Sequence, residues 1–341
     1  MTTRILIARC APAALCALTL LAIAPAAASA ATVQADLRVL TPTRVLDPGT
    51  TYVVGAESVT TDPSADCNFG GAGGSGAAYE FAEPNALGLL AAAAEADPGL
   101  RPLSVTDEFG FGLAICAIGG VDDREGSFWY LKRNHDELTV GADQEPIAGG
   151  DELLVFLAPD NFPEPNPDEL ELKAPARATP GEPFSVSVIE HGCVTDPNTF
   201  EVSCQSAPAA GVTVAGGGIE ATTGADGTAQ LSAASSGRLK LAATRETDIP
   251  AEALRVCVKE DLDGCPKRRG ERIVGSREGE RIKGTPGADV IRGRGGADRI
   301  DVRRGEVDKV DCGPGNDRVL VKRGDPNPDK LARDCERIRR R

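Results

Sequence analysis

A nine-residue repeat near the C-terminus limits the folds open to this 341-residue chain more than any other feature. Acidic residues recur there at spacings of 9, 9, 10 and 9, and a large aliphatic residue follows each of them two positions later. The acidic positions are Glu280, Asp289, Asp298, Asp308 and Asp317, and the aliphatic positions are Ile282, Ile291, Ile300, Val310 and Val319. A short period that holds in two registers over five units predicts a solenoid.

Glycines at fixed places in the units make the repeat similar to the calcium-binding nonapeptide of RTX proteins, GGxGxDxUx. The resemblance implies a β-roll in which two units form one coil, with Ca²⁺ between carboxylates about 18 residues apart. Ca²⁺ prefers 6–8 oxygen ligands, which carboxylates and inward-pointing carbonyl groups supply. The candidate metal-site residues are Asp289, Asp298, Asp308, Asp317, Gly284, Gly287, Gly293, Gly296 and Gly315.

Three acidic pairs have the required spacing, and each departs from the ideal pattern. The pairs are Glu280 with Asp298, Asp289 with Asp308, and Asp298 with Asp317. The first contains Glu, and the other two span an extra residue beside Arg303 and Arg304, which replace glycines. Arg292, Arg294 and Arg299 add positive charge that opposes a cation. We expect one or two weak calcium sites; the alternative is a β-roll that folds without metal.

The first thirty residues have the pattern of a secretory signal peptide. Arg4 and Arg9 precede an apolar stretch over 11–24, and Ala28-Ser29-Ala30 is a small-x-small cleavage motif. The apolar stretch is shorter than the roughly 20 residues of a membrane-spanning helix. We expect cleavage after Ala30 and a secreted, extracellular protein that does not span the membrane.

Eight cysteines follow this segment, and an even number in an exported chain predicts disulfides. Eight cysteines allow roughly 105 connectivities. Pairing of sequence neighbours keeps each bridge within one module and gives Cys67–Cys116, Cys193–Cys204, Cys257–Cys265 and Cys312–Cys335. A cysteine-based metal site is disfavoured because the chain has no CxxC motif and only two histidines.

Residues 31–159 predict a small α+β module. An Ala/Leu-rich helix over 85–96, with Asn85 as its N-cap, lies among strand-like segments. We expect Trp129 in the core and His135 in a solvated polar turn. The order of Cys67, a glycine-rich loop, Phe109-Gly110-Phe111-Gly112, Cys116, Trp129 and Gly150-Asp151 resembles the transcobalamin-like C-terminal domain of bacterial exported proteins. The resemblance implies a small, corrinoid-like ligand for this module.

Five further segments complete the predicted organisation. A Pro-rich linker spans 160–169, and short strands over 170–258 predict a β-sandwich that is similar to bacterial Ig-like domains. A second linker covers 259–271, and the β-roll covers 272–325. A capping helix over 326–341 has Asn327 as N-cap and Leu331, Cys335 and Ile338 on one face. The fold class is therefore mainly β and multidomain: a small α+β module, an Ig-like β-sandwich and a short β-roll solenoid capped by a helix.

Charge is distributed unevenly along the chain. Residues 266–341 carry a net charge of +8 and the remainder −22. Nucleic acid is a poor partner for the basic region, because its arginines alternate with Asp and Gly and it lacks aromatic side chains. An anionic cell-envelope polymer is a better one.

The sequence contains no GxSxG, HExxH or paired-carboxylate motif, so we expect no enzymatic activity. The prediction is an exported, non-enzymatic binding or surface-associated protein with a weakly calcium-binding tail and an extracellular or cell-envelope partner. The alternative is a small-ligand carrier that uses the first module, with a purely structural tail.

Overall fold

The computed structural model describes residues 31–68, 73–110, 112–123, 126–326 and 328–341. The predicted signal peptide, Phe111 and the predicted N-cap Asn327 lie outside these ranges. Within the described part the chain is mainly β and multidomain, with one α-helix. No helix there is long and apolar enough to cross a membrane.

The first module contains five strands of a nine-stranded sheet, two smaller sheets and one α-helix. Its elements are β1 Val33–Leu40, β2 Val45–Val54, β3 Glu57–Thr60, β4 Ala78–Phe81, α1 Ala86–Ala96, β5 Leu103–Thr106, β6 Ala114–Ile118, β7 Val121–Asp122, β8 Ser127–Arg133, β9 Asp136–Glu137 and β10 Glu152–Pro159. Its part of the nine-stranded sheet has the order β2-β1-β10-β8-β9, and the smaller sheets are β3-β4 and β5-β6-β7. Asn85 caps α1 by accepting the N–H of Gly88 at 2.7 Å, and Trp129 is buried in the core, as predicted.

The second module is a β-sandwich, consistent with the Ig-like prediction. Its strands are β11 Glu169–Lys173, β12 Arg177–Ala178, β13 Pro183–Thr195, β14 Val202–Pro208, β15 Thr213–Gly216, β16 Ile219–Thr222, β17 Thr228–Ser232, β18 Gly237–Thr244 and β19 Leu254–Val258. One sheet pairs β13 with β11, β14 and β17, and the other has the order β12-β19-β18-β15-β16. A single core containing Val186, Val214 and Leu241 includes residues of both sheets.

The third module is a roll of two parallel sheets. Its strands are β20 Arg269–Val274, β21 Arg281–Lys283, β22 Ala288–Arg292, β23 Arg299–Val302, β24 Lys309–Asp311, β25 Arg318–Val321, β26 Lys330–Leu331 and β27 Arg337–Arg340. Even-numbered strands form one sheet and odd-numbered strands the other. The repeat aliphatics Ile282, Ile291, Ile300, Val310 and Val319 are all buried in the core between them.

The two predicted linkers do not separate the modules. Glu169, placed in the first linker, is the first residue of β11 and is buried. Arg269, placed in the second linker, begins β20 and donates to the carbonyl oxygens of Ala174 and Pro175 in the second module. Composition predicts where regular structure stops, but it does not reveal what the flanking residues pack against.

The predicted capping helix is wrong. Residues 330–331 and 337–340 are strands, which pair with β24 and β25. The spacing of Leu331, Cys335 and Ile338 is that of a helix face. A helix, however, would leave the backbone edges of β24 and β25 without hydrogen-bond partners, and an added coil supplies them. The roll therefore ends on one more coil.

Disulfides join all four neighbouring cysteine pairs: Cys67–Cys116, Cys193–Cys204, Cys257–Cys265 and Cys312–Cys335. Three bridges lie within one module, and Cys257–Cys265 joins the last strand of the second module to the segment that follows it. Four bridges are typical of proteins that fold in an oxidising compartment.

Candidate metal centre

The acidic positions of the repeat form two columns along the roll. One column contains Glu271, Asp289, Asp308 and Asp329, and the other contains Glu280, Asp298, Asp317 and Glu336. In each column the backbone N–H of an acidic residue donates to the carboxylate one coil further on, at 2.8–3.1 Å. The structure thus brings together all three acidic pairs that the 18–19-residue spacing predicts.

Three of these carboxylates are incompletely satisfied. Asp298, Asp308 and Asp317 are at most 2% exposed, and each uses Oδ1 to accept a backbone N–H. The Oδ2 atom of each is buried without a hydrogen-bond partner in the described part of the chain. A buried carboxylate oxygen without a partner is costly, so these atoms favour either a proton or a cation.

Burial and like charge both favour the protonated forms. Desolvation raises the pKa of Asp298 to about 7, and repulsion from Glu280 and Asp317 adds to the shift. Desolvation raises the pKa of Asp308 to about 7 in the same way, with Asp289 and Asp329 as its acidic neighbours. Because metal ligation needs the deprotonated form, a divalent cation bound here would displace protons at neutral pH.

Two other carboxylates of the predicted pairs are already partnered locally. Thr285 donates its backbone N–H and its hydroxyl to Asp289, at 2.6 Å each. Ser276 donates its N–H to Glu280 at 2.9 Å. The pair Asp298–Asp317 therefore remains as the predicted pair in which both carboxylates keep an unpartnered buried oxygen.

The glycines of the repeat allow neighbouring coils to stack closely. A Cβ atom on Gly293 would lie 2.4 Å from the carbonyl oxygen of Cys312 and 2.6 Å from Asp298 Oδ2. Only glycine therefore admits both oxygens here, and they are of the kind that Ca²⁺ binds. The other predicted glycines make comparably close contacts with neighbouring oxygens: Gly284, Gly287, Gly296 and Gly315.

Arg294 keeps its positive charge close to one acidic column: burial raises the pKa of Glu280, and the charge of Arg294 opposes that rise. Its guanidinium donates to the carbonyl oxygen of Glu95 at 3.2 Å and lies 3.6 Å from the carboxylate of the same residue, near the end of α1. This contact joins the roll to the first module, so the charge of Arg294 acts on both Glu95 and Glu280.

Sequence reasoning missed a column of arginines on the roll. Arg281, Arg299, Arg318 and Arg337 are register partners on the adjacent strands β21, β23, β25 and β27. Like charges on neighbouring strands repel, and repulsion from Arg339 and Arg299 lowers the pKa of Arg318. The signal was present in the sequence, because each of these arginines directly follows an acidic residue of one column.

The first module contains a separate cavity of about 220 Å³. Trp129, Leu113, Leu131 and Leu138 contribute apolar walls to it. Pockets for drug-sized ligands usually measure about 300–1,000 Å³, so this cavity is small for a corrinoid-like molecule.

Comparison with known proteins gives no relative from which a function could be transferred. No family model matches the chain, and no curated protein or solved structure matches it. The chemistry of the residues described above is therefore the basis for assigning a function.

Proposed function

We propose that this is an exported, non-enzymatic binding protein whose β-roll binds Ca²⁺ weakly and associates with an anionic extracellular polymer. The observation that carries the calcium proposal is the pair Asp298–Asp317, whose Oδ2 atoms are buried and unpartnered. The nearby carbonyl oxygen of Cys312 adds a neutral ligand of the right class. Together these atoms supply only part of a calcium coordination sphere, which fits weak affinity.

Weak binding suits an exported protein. Extracellular calcium modules have dissociation constants of about 10⁻⁴–10⁻³ M. The four disulfides support an oxidising location. Bound Ca²⁺ would stabilise the roll because it relieves the repulsion within the acidic columns.

The calcium proposal is tested on the full disulfide-bonded chain by calorimetric melting in Ca²⁺ and in EDTA. A site with a dissociation constant near 10⁻⁴ M would stabilise the protein by about 2.7 kcal/mol in roughly 10 mM Ca²⁺. Asp298→Asn should remove most of this increment. Asp301→Asn is the matched control, because Asp301 lies in the same unit but pairs with Arg303 outside the columns. A melting temperature that is identical in Ca²⁺ and EDTA would contradict the proposal.

The arginine column supports the anionic partner. Neighbouring strands lie about 4.8 Å apart, so the four guanidinium groups form a regular positive row. The rest of the chain is strongly acidic, which restricts attraction of a polyanion to the roll. The four arginines repel one another, so we expect such a row where an anionic ligand neutralises it.

A polyanion such as heparin or polyglutamate serves as the probe for this surface. The double variant Arg299→Gln and Arg318→Gln should elute from a heparin column at clearly lower salt than the wild type. Arg44→Gln, which removes an exposed arginine of the first module, should elute unchanged. Equal elution of all three proteins would place the binding surface elsewhere.

A further inference from the structure

A cavity of about 370 Å³ lies where the three modules meet. It is lined by Arg38 of the first module, by Leu172 and Glu252 of the second, and by Arg269 of the roll. Sites for small molecules usually measure about 300–1,000 Å³ and often lie between domains. The cavity therefore has the size and the location of a small-molecule site.

Most charged side chains of the cavity are already paired within the protein. Arg38 Nη1 lies 3.4 Å from a carboxylate oxygen of Glu152 and 3.2 Å from one of Glu169. Lys173 Nζ lies 3.2 Å from Glu171 Oε2. A ligand would have to break these ion pairs in order to use the groups that form them.

Glu252 is the exception among the carboxylates of the cavity. Its carboxylate forms no hydrogen bond and no ion pair within the described residues, and its side chain is partly exposed. One side of it packs on the backbone of β2, where a Cβ atom on Gly49 would lie 3.0 Å from Glu252 Cδ. Desolvation raises the pKa of Glu252 to about 7, and the charge of Arg38 opposes this rise only in part. A cation brought by a ligand would stabilise the ionised form of Glu252.

Arg269 is the exception among the cations. Its Nη2 donates to the carbonyl oxygens of Ala174 and Pro175, and its Nε donates to that of Arg255 at 3.1 Å. These bonds hold the plane of the guanidinium group. Among the described residues Nη1 has no hydrogen-bond partner, and no carboxylate forms an ion pair with Arg269. A guanidinium group without a counter-ion is suited to a carboxylate ligand.

We propose that this cavity binds a small zwitterion, an α-amino acid or short peptide with an aliphatic side chain. The ammonium group of the ligand pairs with Glu252, and its carboxylate pairs with Nη1 of Arg269. Leu172 and Leu254 supply an apolar wall for the side chain. A zwitterion neutralises both unpaired groups at once, whereas a ligand with one charge leaves the other group unpaired.

This site is independent of the proposed calcium and polyanion sites. Neither Glu252 nor Arg269 belongs to the acidic columns or to the arginine column. Glu252 precedes β19 of the second module, and Arg269 begins β20 of the roll. A ligand that joins them therefore strengthens the packing of these two modules.

The test is isothermal titration of the full disulfide-bonded chain with L-leucine and with leucyl-leucine. We expect one ligand per chain for at least one of these probes. Binding of leucine alone assigns the cavity to free amino acids, and binding of leucyl-leucine alone assigns it to short peptides. No binding of either probe at millimolar concentration would overturn the proposal.

Two analogues of the probe that binds test the charge pairing. The amide lacks the carboxylate, and the deamino acid lacks the ammonium group. Each should bind roughly tenfold more weakly or worse, because it loses a charge-assisted hydrogen bond. An analogue that binds as tightly as the probe would overturn the assignment of a zwitterion.

Glu252→Gln tests the contact with the ammonium group. This variant should weaken binding of the probe roughly tenfold and leave the affinity of the deamino acid unchanged, which a general loss of structure would not do. Because the Glu252 carboxylate has no partner to lose, the variant should fold as the wild type does. Glu182→Gln, an exposed change in the second module, and Asp298→Asn should bind the probe as the wild type does. Unchanged affinity in Glu252→Gln, or loss of binding in Asp298→Asn, would overturn the site.

Discussion

Tyr52 of β2 lies beside Val274 of β20 in parallel register, so the sheet of the first module continues into the β-roll without a break. Val53 of the same strand packs into the core of the roll. The first module therefore supplies the N-terminal cap that a solenoid needs.

A fragment of residues 266–341 should not behave as an independent domain. Without β2, the edge of β20 and the first core layer around Ile273 lose their cover. We expect the oxidised fragment to self-associate through this edge or to melt without a cooperative transition. Sedimentation velocity and thermal melting would show this, and a monomeric fragment with the melting temperature of the full chain would contradict it.

Gly293→Ala should destabilise the protein by about 1–3 kcal/mol, the usual effect of overpacking. The new Cβ would lie 2.4 Å from a backbone carbonyl oxygen, which cannot rotate away as a side chain can. Gly149→Ala is the control, because no atom of the described residues lies within 4 Å of the place that its Cβ would occupy. Urea unfolding measures the stability of both variants. Equal unfolding midpoints would show that the coils leave room for the added methyl group.

Without Ca²⁺ the protein should lose stability as the pH rises from about 4 to about 7. Asp298, Asp308 and Glu271 have pKa values raised by desolvation to about 7, so the native state binds more protons than the unfolded state in this window. Stability falls with pH wherever the native state holds the extra protons. Thermal melts in EDTA across this range would measure the slope.

The double variant Asp298→Asn and Asp308→Asn is the control for this pH dependence. The amides cannot ionise, so the slope should be shallower than in the wild type. A slope equal to that of the wild type would assign the effect to other groups.

Glu169→Gln should destabilise the protein by about 3–5 kcal/mol, because it removes the counter-ion of buried Lys132 and leaves Arg38 with Glu152 as its carboxylate partner. The carboxylate of Glu169 contacts Arg38 and Lys132, both at most 5% exposed. Glu182→Gln provides an exposed comparison. Chemical denaturation at neutral pH is the measurement, and a loss no larger than that of Glu182→Gln would show that the network contributes little.

The parts of the fold that depend on local pattern could be predicted from the sequence. Ile282 and Asp289 belong to a repeat whose period is visible over a few residues, and Asn85 is an N-cap three residues before the N–H that it accepts. Leu331 and Ile338 show the limit of this reasoning, since their spacing fits a helix as well as two strands of a coil.

Relationships between modules could not be predicted in this way. The sequence predicts a solvated turn position for His135, but its ring stacks on His191, a contact that depends on how two modules pack. The pairing of Tyr52 with Val274 likewise joins strands whose own sequences do not specify their neighbours. The four bridges could be predicted because each joins cysteines that are neighbours in the sequence.

Because an arginine directly follows each acidic residue of one column, one side of the roll carries a negative column next to a positive column. Asp298 and Asp317 belong to the acidic column. Arg299 and Arg318, the next residues in the chain, belong to the arginine column. At short range the electric field of each column partly cancels that of the other. An ion that neutralises the acidic column therefore increases the positive potential of the arginine column, so calcium and a polyanion should strengthen each other's binding although they contact different side chains.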